Sequence, residues 1–400
     1  MRTLILTSSF HPAIGGAETY AYEIARGLAH TGHPTAVVTD LPRHARPGEV
    51  FAGDPADVSV HRLHRFQSLL ADDSKIFWEQ MAFGLHPELA VCAEEFRPDV
   101  VLTNSLDTAL PGKTLALALD LPWAAAFHEQ DPAQEPLGTA RMRLAYGVLA
   151  PDLVLAGSEF YAERARRWGF RERVALIHHG VDTEQFTPHR DGTAVRRRYG
   201  VPDDAVLIVS AGRLKARKGH LETLRAFAEV HAHRPGTRLL LVGSVNSASH
   251  AYSDLLEAEV DRLGMRSVVR IDRTVTFADM PQVLAAADIV AQPSHAEGLG
   301  LSVLEAMSCG RATVTTDIPG IREILGPPGI AEVVLPGEVA PLAEALRRLV
   351  DDPELRSTLG RRARRHVEER FSRRRMVADT ATALCALTDR LPAPLENTRV

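Results

Sequence analysis

Short apolar runs alternate with longer stretches of helical spacing along almost the whole chain. Runs at 2–8, 35–39, 58–63, 99–103, 122–127, 152–156 and 174–178 have the length of strands, and most, though not VSVHRL at 58–63, have the largely apolar character of buried parallel ones. A second series follows at 205–211, 238–243, 267–271, 288–292, 312–316 and 331–335. Strands alternating with helices predict doubly wound parallel sheets. The irregular stretch near 183–192 separates the two series and is the expected hinge. Lys75 to Phe96 reads as a long helix, with Trp78 and Met81 fitting either its core face or a groove, the core being favoured. Leu41 to Ser74 reads as loops around one strand, and Thr315 to Glu323 as a further loop. RRARRHVEERF (361–371) reads as a basic helix with a solvated face, 373–391 as a last helix, and PAPLENTRV as a disordered tail.

Four hundred residues at 45% hydrophobic content are enough for two cores. Cys92, Cys309 and Cys385 lie far apart and match no metal-binding spacing, which points to incidental thiols in a reducing compartment. MRTLILTSS has too short an apolar run for a secretory signal and reads as a first strand. No apolar run reaches the ~18 residues of a membrane span. A soluble cytoplasmic protein is expected, without nucleic-acid partners and with its oligomeric state open. The net charge of −5 is unevenly spread: residues 1–185 hold 16 Lys and Arg against 24 Asp and Glu, net −8, and the remainder 30 against 27, net +3.

The densest chemistry lies in DIVAQPSHAEGLGLSVLEAMSCGRATVTTD (288–317). An apolar strand runs into a loop with Glu297, Gly298, Leu299, Gly300 and Leu301, then into a helix over 302–308 that carries Glu305 and is closed by Gly310. Loops at the carboxyl ends of parallel strands are where ligands bind in such sheets. The glycines let backbone N–H groups entering the helix approach an anion or a sugar hydroxyl. Each ionised glutamate offers two acceptor oxygens, which suits a vicinal diol, so the pair reads as two separate clamps; either acid alone would also fit an ordinary surface residue. Arg213 and Lys218, in GRLKARKGH after the strand AVLIVSAG, supply cations for a diphosphate, one as a planar fork and one as a point charge. Near the start, HPAIGGAE places Gly15 and Gly16 before a helix, which fits either a tight turn or amides facing a phosphate.

Glu297-x7-Glu305, preceded by Pro293-Ser294 and by Arg213-x4-Lys218, resembles the donor half of glycosyltransferase family 4, retaining enzymes of the GT-B fold, and the similarity runs over nearly the whole chain. The resemblance implies an α/β protein of GT-B architecture, two Rossmann-like doubly wound domains facing a central cleft. An acceptor-binding domain is expected at 1–185, a donor-binding domain at 186–372, and at 373–400 a helix that packs back on the first domain, plus the tail. It implies a donor set of Gly15, Gly16, Arg213, Lys218, Ile271, Arg273, Glu297, Gly298, Leu299, Gly300, Leu301 and Glu305, with Glu305 at the ribose. It also gives His128, after PWAAAF, a catalytic role beside Arg213, Lys218 and Glu297: hydrogen bonding to the transferred sugar, without a protein nucleophile.

Departures from the family pattern are informative. His179-Gly180-Val181-Asp182 stands for Asn-Gly-Val-Asp, and Arg273 stands where a glycine is common in the region that meets the nucleobase. Base identity is left open. No cofactor or metal is expected, because the chain has no Asp-x-Asp. The acidic first half points to a neutral or cationic soluble acceptor, such as an aminocyclitol of secondary metabolism, with Asp72, Asp73, Glu79, Glu129, Asp131 and Glu135 as candidate contacts. Alternatives are a cell-envelope lipid or polysaccharide precursor as acceptor, and a non-catalytic sugar-nucleotide-binding protein. A dinucleotide oxidoreductase is disfavoured: Asp40 is suitably placed, but the first loop lacks G-x-G-x-x-G.

Overall fold

The computed structural model describes residues 1–400 apart from 14–15, 43–44, 47, 65–76, 129–137, 246–249, 277, 327 and 390–400, and the backbone alone over 77–83. The chain divides into two compact units, residues 1–179 with 374–400 and residues 180–373. The first ends at His179 rather than at 185 because the next residues belong to the second unit. Val181 N donates to Phe371 O (2.8 Å), Arg373 N donates to Val181 O (2.8 Å), and Arg373 pairs with Asp182 at 2.6 Å.

In the first unit β1 (Thr3–Leu6), β2 (Thr35–Asp40), β3 (Val58–Leu63), β4 (Val100–Thr103), β5 (Trp123–Ala125), β6 (Leu153–Ala156) and β7 (Arg173–Leu176) form one parallel sheet in the order β3-β2-β1-β4-β5-β6-β7. The register pairs Leu4 with Ala36 and with Val101. Leu4 and Leu6 enter one core and Ile5 the other, so the sheet is buried on both faces, which explains the unbroken apolar runs. Helices α1 (Gly16–His30), α2 (Phe77–Phe96), α3 (Ala109–Ala118), α4 (Gly138–Arg143) and α5 (Glu159–Arg167) supply the cover.

The second unit repeats the plan. β8 (Val206–Ala211), β9 (Thr237–Val242), β10 (Val269–Asp272), β11 (Ile289–Gln292), β12 (Ala312–Thr316) and β13 (Glu332–Val334) are parallel in the order β10-β9-β8-β11-β12-β13. Its helices are α6 (Thr193–Arg198), α7 (His220–His233), α8 (His250–Arg262), α9 (Met280–Ala286), α10 (Leu301–Ser308), α11 (Pro319–Ile324), α12 (Val339–Asp351) and α13 (Pro353–Arg370). The order of strands reverses beside β1 in one sheet and beside β8 in the other, so each unit has a switch-point crevice at its strands' carboxyl ends. The last helix, α14 (Arg373–Thr388), returns to the first unit, where Val377 packs so closely over Gly27 of α1 that a Cβ there would lie 2.3 Å from it.

Two sequence expectations are corrected. Thr315 to Glu323 is not a loop: Thr316 ends β12 and Pro319 opens α11, whose Ile321 and Ile324 are fully buried, because Pro is tolerated in a first helical turn and the apolar spacing seats one helical face. The run 361–371 is not a wholly solvated face. Arg364 turns inward and donates to Phe186 O and Ser308 O, both at 2.7 Å. The expected disordered tail and the first residues of the helix from Lys75 lie outside the described residues, as do the side chains of Trp78 and Met81.

Candidate functional site

In the second unit the loops after β8 and β11 meet at the switch point. Ala211 O, at the end of β8, accepts from Gln292 Nε2 at the end of β11 (2.5 Å). A 3₁₀ turn at Ala216–Lys218 ends in Gly219, whose φ of 73° is left-handed, and a Cβ there would lie 2.1 Å from Pro293 O. Only glycine combines that dihedral with that approach. His220 holds the same loop from inside: a carbonyl can only accept, so Nε2–H donates to Arg213 O (3.3 Å) and Nδ1 accepts from the Ser210 hydroxyl (2.9 Å). Burial pushes this imidazole down to about 4.

Glu297 sits where the loops join, with a side chain only 8% exposed. Its Oε1 accepts from Lys218 Nζ (2.6 Å) and Ser294 Oγ (2.8 Å), and its Oε2 from Arg217 NH1 (3.3 Å). Burial alone would raise this carboxyl, but Lys218 and Arg217 hold it below the usual range. Glu297 is therefore not an open clamp in this structure: both oxygens are taken. Arg217 and Ser294 were quoted in motifs but given no role in the sequence reading, since neighbours across two loops are not visible as spacing.

Glu305 is the contrasting acid. It lies in α10, partly exposed, and among the described residues nothing donates to its carboxyl. Burial pushes it up to about 8 against the pull of Lys218. Gly300 caps α10 with a φ of 90°, and Ile321 of α11 stands where its side chain would be. Among the described residues no acceptor meets the amides of Gly298, Leu299, Gly300, Leu301 or Ser302, so the helix start presents free donors. Leu299 itself is buried in the core.

Arg213 is exposed with no side-chain partner among the described residues. Beside it the Lys215 ammonium is held low by burial and by the neighbouring Arg213 and Arg217, the signature of crowded cations. Ile271 is half-buried in β10. Arg273 is turned to α8, donating to Ser253 Oγ (2.6 Å) and Glu257 Oε1 (3.3 Å). A cavity of about 380 Å³ at the opposite, amino ends of the strands is lined by Arg196, Arg311 and Arg356, but those guanidiniums are already spent on carbonyls and on Asp288.

In the first unit His128 follows β5 in a ring cluster, 4.5 Å from Tyr20, 5.0 Å from His179 and 6.2 Å from Tyr161 between centroids. Asn104, after β4, fixes its orientation. Ala17 O can only accept, so the Asn104 amide nitrogen faces it (3.0 Å) and Oδ1 faces His128 Nε2 (2.9 Å), which must carry the proton. Tyr161 OH donates to His128 O (3.1 Å). Burial, then His179 and Arg164, hold the His128 imidazole well below its usual value, and burial brings His179 to about 4, so both rings are neutral near pH 7. Nδ1 of His128 is buried with no partner among the described residues. Gly16 opens α1 with empty space where a Cβ would be. Gly15, Asp72, Asp73, Glu129, Asp131 and Glu135 lie outside the described residues, as does the side chain of Glu79.

Two family models cover these two units. Glycosyltransferase Family 4 matches residues 14–185 and Glycosyl transferases group 1 matches residues 191–366. The chain belongs to glycosyltransferase family 4 and has the GT-B fold. It is 28% identical over 393 residues to the D-inositol 3-phosphate glycosyltransferase of Kineococcus radiotolerans, covering 88% of this chain and 86% of that one. It is 28% identical over 390 residues to a GDP-mannose-dependent monoacylated alpha-(1-6)-phosphatidylinositol monomannoside mannosyltransferase of Corynebacterium glutamicum, covering 93% and 94%. Among solved structures, Anabaena HepE in complex with UDP and glucose superposes with a TM-score of 0.77 at 24% identity over 96% of this chain and 100% of that one. No described helix is long and apolar enough to cross a membrane.

Proposed function

We propose that this glycosyltransferase moves a hexose or N-acetylhexosamine from a nucleoside diphosphate sugar, with UDP favoured, to a hydroxyl of a soluble acceptor, with retention and without a metal. The observation that carries the reading is the company kept by the second unit's switch point: crowded cations, with helix amides and a Glu305 carboxyl that no partner among the described residues meets. As the sugar–phosphate bond breaks, negative charge grows on the departing diphosphate. Arg213, Lys218 and the α10 amides answer it, which is the work a metal does elsewhere. Glu305 takes the ribose hydroxyls, and Ile271 and Arg273 lie toward the base. His128 serves the transferred sugar as a neutral hydrogen-bonding group. The acceptor oxygen bonds to the anomeric carbon on the face the diphosphate leaves, its hydroxyl proton passes to the departing phosphate oxygen, and no side chain is assigned as nucleophile.

The UDP reading is supported by the UDP and glucose held by HepE, whereas the Corynebacterium relative is named for GDP-mannose. A hydrolysis screen over UDP- and GDP-sugars, with the anomer of the product read by NMR, tests the donor. Inversion, or turnover abolished by a chelator and restored by magnesium, would remove the corresponding part of the proposal.

For the acceptor, the net −8 of residues 1–185 supports a neutral or cationic molecule, and the relative named for D-inositol 3-phosphate supports a cyclitol. An aminocyclitol of secondary metabolism meets both. The second reading, a lipid acceptor, is favoured by the Corynebacterium relative's name. An anionic bilayer would reward a basic first unit by about 1 kcal/mol per cation, and this one is acidic. Transfer to an aminocyclitol, a neutral sugar and phosphatidylinositol liposomes, at low and high salt, decides between them. Exclusive use of the lipid would overturn the proposal; a cationic acceptor whose KM rises with salt supports it.

A further inference from the structure

Lys218 poses a problem for any diphosphate grip, because its ammonium lies 2.6 Å from an ionised carboxylate. A lysine and a glutamate at that distance form a neutral pair, and a neutral pair attracts an anion only weakly. Arg217 changes the count. Its guanidinium takes the second oxygen of Glu297 at 3.3 Å and is fixed there by donating to Ala296 O at 2.8 Å. Its own carbonyl accepts from His295 N at 2.8 Å, so residue 217 joins the loops after β8 and β11 through both backbone and side chain. Two cations on one carboxylate leave a net positive charge, and Arg213 and Lys215 lie on the same loop.

We infer that Arg217 is a positioning and charge-balancing residue of the donor site: by sharing Glu297 it leaves the Lys218 ammonium incompletely neutralised and turned to account on the diphosphate. This rests on the donor reading proposed above. Arg217 need not touch the ligand, since its effect passes through the carboxylate. Two properties are separable by substitution. Arg217→Gln keeps a donor for Ala296 O and loses the charge, whereas Arg217→Lys keeps the charge and loses the planar fork.

The test measures binding of UDP, GDP, uridine and guanosine to the full chain by calorimetry, for wild type and both variants. With the base that wild type prefers, Arg217→Gln is expected to weaken the nucleoside diphosphate about tenfold, the scale of one charge acting across a few ångströms of partly buried protein. The nucleoside should bind as before, and Arg217→Lys should restore most of the diphosphate affinity. A merely structural role would weaken nucleoside and diphosphate alike. Diphosphate affinity within twofold of wild type in Arg217→Gln, or equal loss for the nucleoside, overturns the inference while the donor reading stands. Wild type that binds neither UDP nor GDP overturns both. Thermal melting of both variants guards against misfolding, and if Arg217→Gln does not fold, weak diphosphate binding with normal nucleoside binding by a folded Arg217→Met serves in its place.

Discussion

The ring cluster around His128 and the charge cluster around Glu297 are built at equivalent places, the carboxyl ends of strands beside a switch point, by opposite means. In the first unit two imidazoles and two phenol rings pack in tilted and edge-on contacts, and a neutral amide, Asn104, sets the one imidazole's proton. In the second, two cations and a hydroxyl share one carboxylate, while a second, Glu305, has no partner among the described residues. The difference teaches how each can act. A neutral, oriented ring contributes through geometry, and its effect should be indifferent to salt. A net positive loop contributes through a field that grows in value as charge develops on a leaving group.

The sharpest way to break this contrast is at the charged end. Lys218→Ala leaves buried Glu297 with Arg217 and Ser294 only, and removing one partner of a buried ion pair costs about 3 kcal/mol of stability. Transfer should slow on the order of a hundredfold, the loss expected for one electrostatic donor in a dry site. Arg213→Ala should slow transfer similarly, yet change stability by no more than about 0.5 kcal/mol, because the side chain is exposed and has no partner among the described residues. Denaturant melts and single-turnover rates measure both. Turnover within twofold of wild type in both variants would dismiss the assignment of these cations.

At the neutral end the corresponding change is Asn104→Leu, which removes the group that orients His128 at nearly constant volume. Stability should fall by about 1–2 kcal/mol, since Ala17 O and the ring Nε2–H lose partners at a buried site. The rate should fall about tenfold or more through misorientation alone, with donor KM and salt dependence unchanged. NMR of histidine-labelled protein should show His128 protonated at Nε2 in wild type. A raised donor KM in Asn104→Leu would mean that the first unit also works through the field.

Much of this was legible in the chain. The runs predicted the thirteen described strands; the central ones read clearly because a parallel strand buried on both faces must be apolar, whereas edge strands such as β3 and β7 are only partly buried and carry polar residues. Glu297, Glu305, Arg213 and Lys218 were legible as a set because loops after strands are where such sheets bind. What spacing could not convey was pairing across loops: that Arg217 rather than a ligand fills one side of Glu297, or that Asn104 sets the proton of His128. Arg364 misled for a related reason. A charge in a basic run looks solvated until a neighbouring helix end and a loop offer it carbonyls. The segment 315–323 reads as a loop in the sequence, yet Pro319 opens a helix there, whose Ile321 and Ile324 are buried.

The smallest predicted effect concerns Glu305 and follows from its carboxyl being pushed up to about 8 by burial, with Lys218 opposing. A carboxyl that titrates higher in the folded chain than in the unfolded one contributes stability that is full below the unfolded value of about 4.3 and is lost as pH rises through the folded value. Wild type should therefore lose stability between about pH 5 and pH 8 relative to Glu305→Gln, by an amount softened by the partial exposure of the side chain. His220 and His179, both near 4, act in the other window, destabilising the fold as pH falls below about 6.5. The two windows are thus distinguishable in one series of melts. Donor binding adds a second readout. A carboxyl that accepts from two hydroxyls must ionise, so binding near pH 7 should release a proton, seen as a dependence of the calorimetric heat on the buffer. Affinity should rise from about pH 6 to pH 8 in wild type and stay flat in Glu305→Gln. Binding without proton release, with a wild-type pH profile in the variant, would take Glu305 away from the ribose and leave the second unit's site to its cations alone.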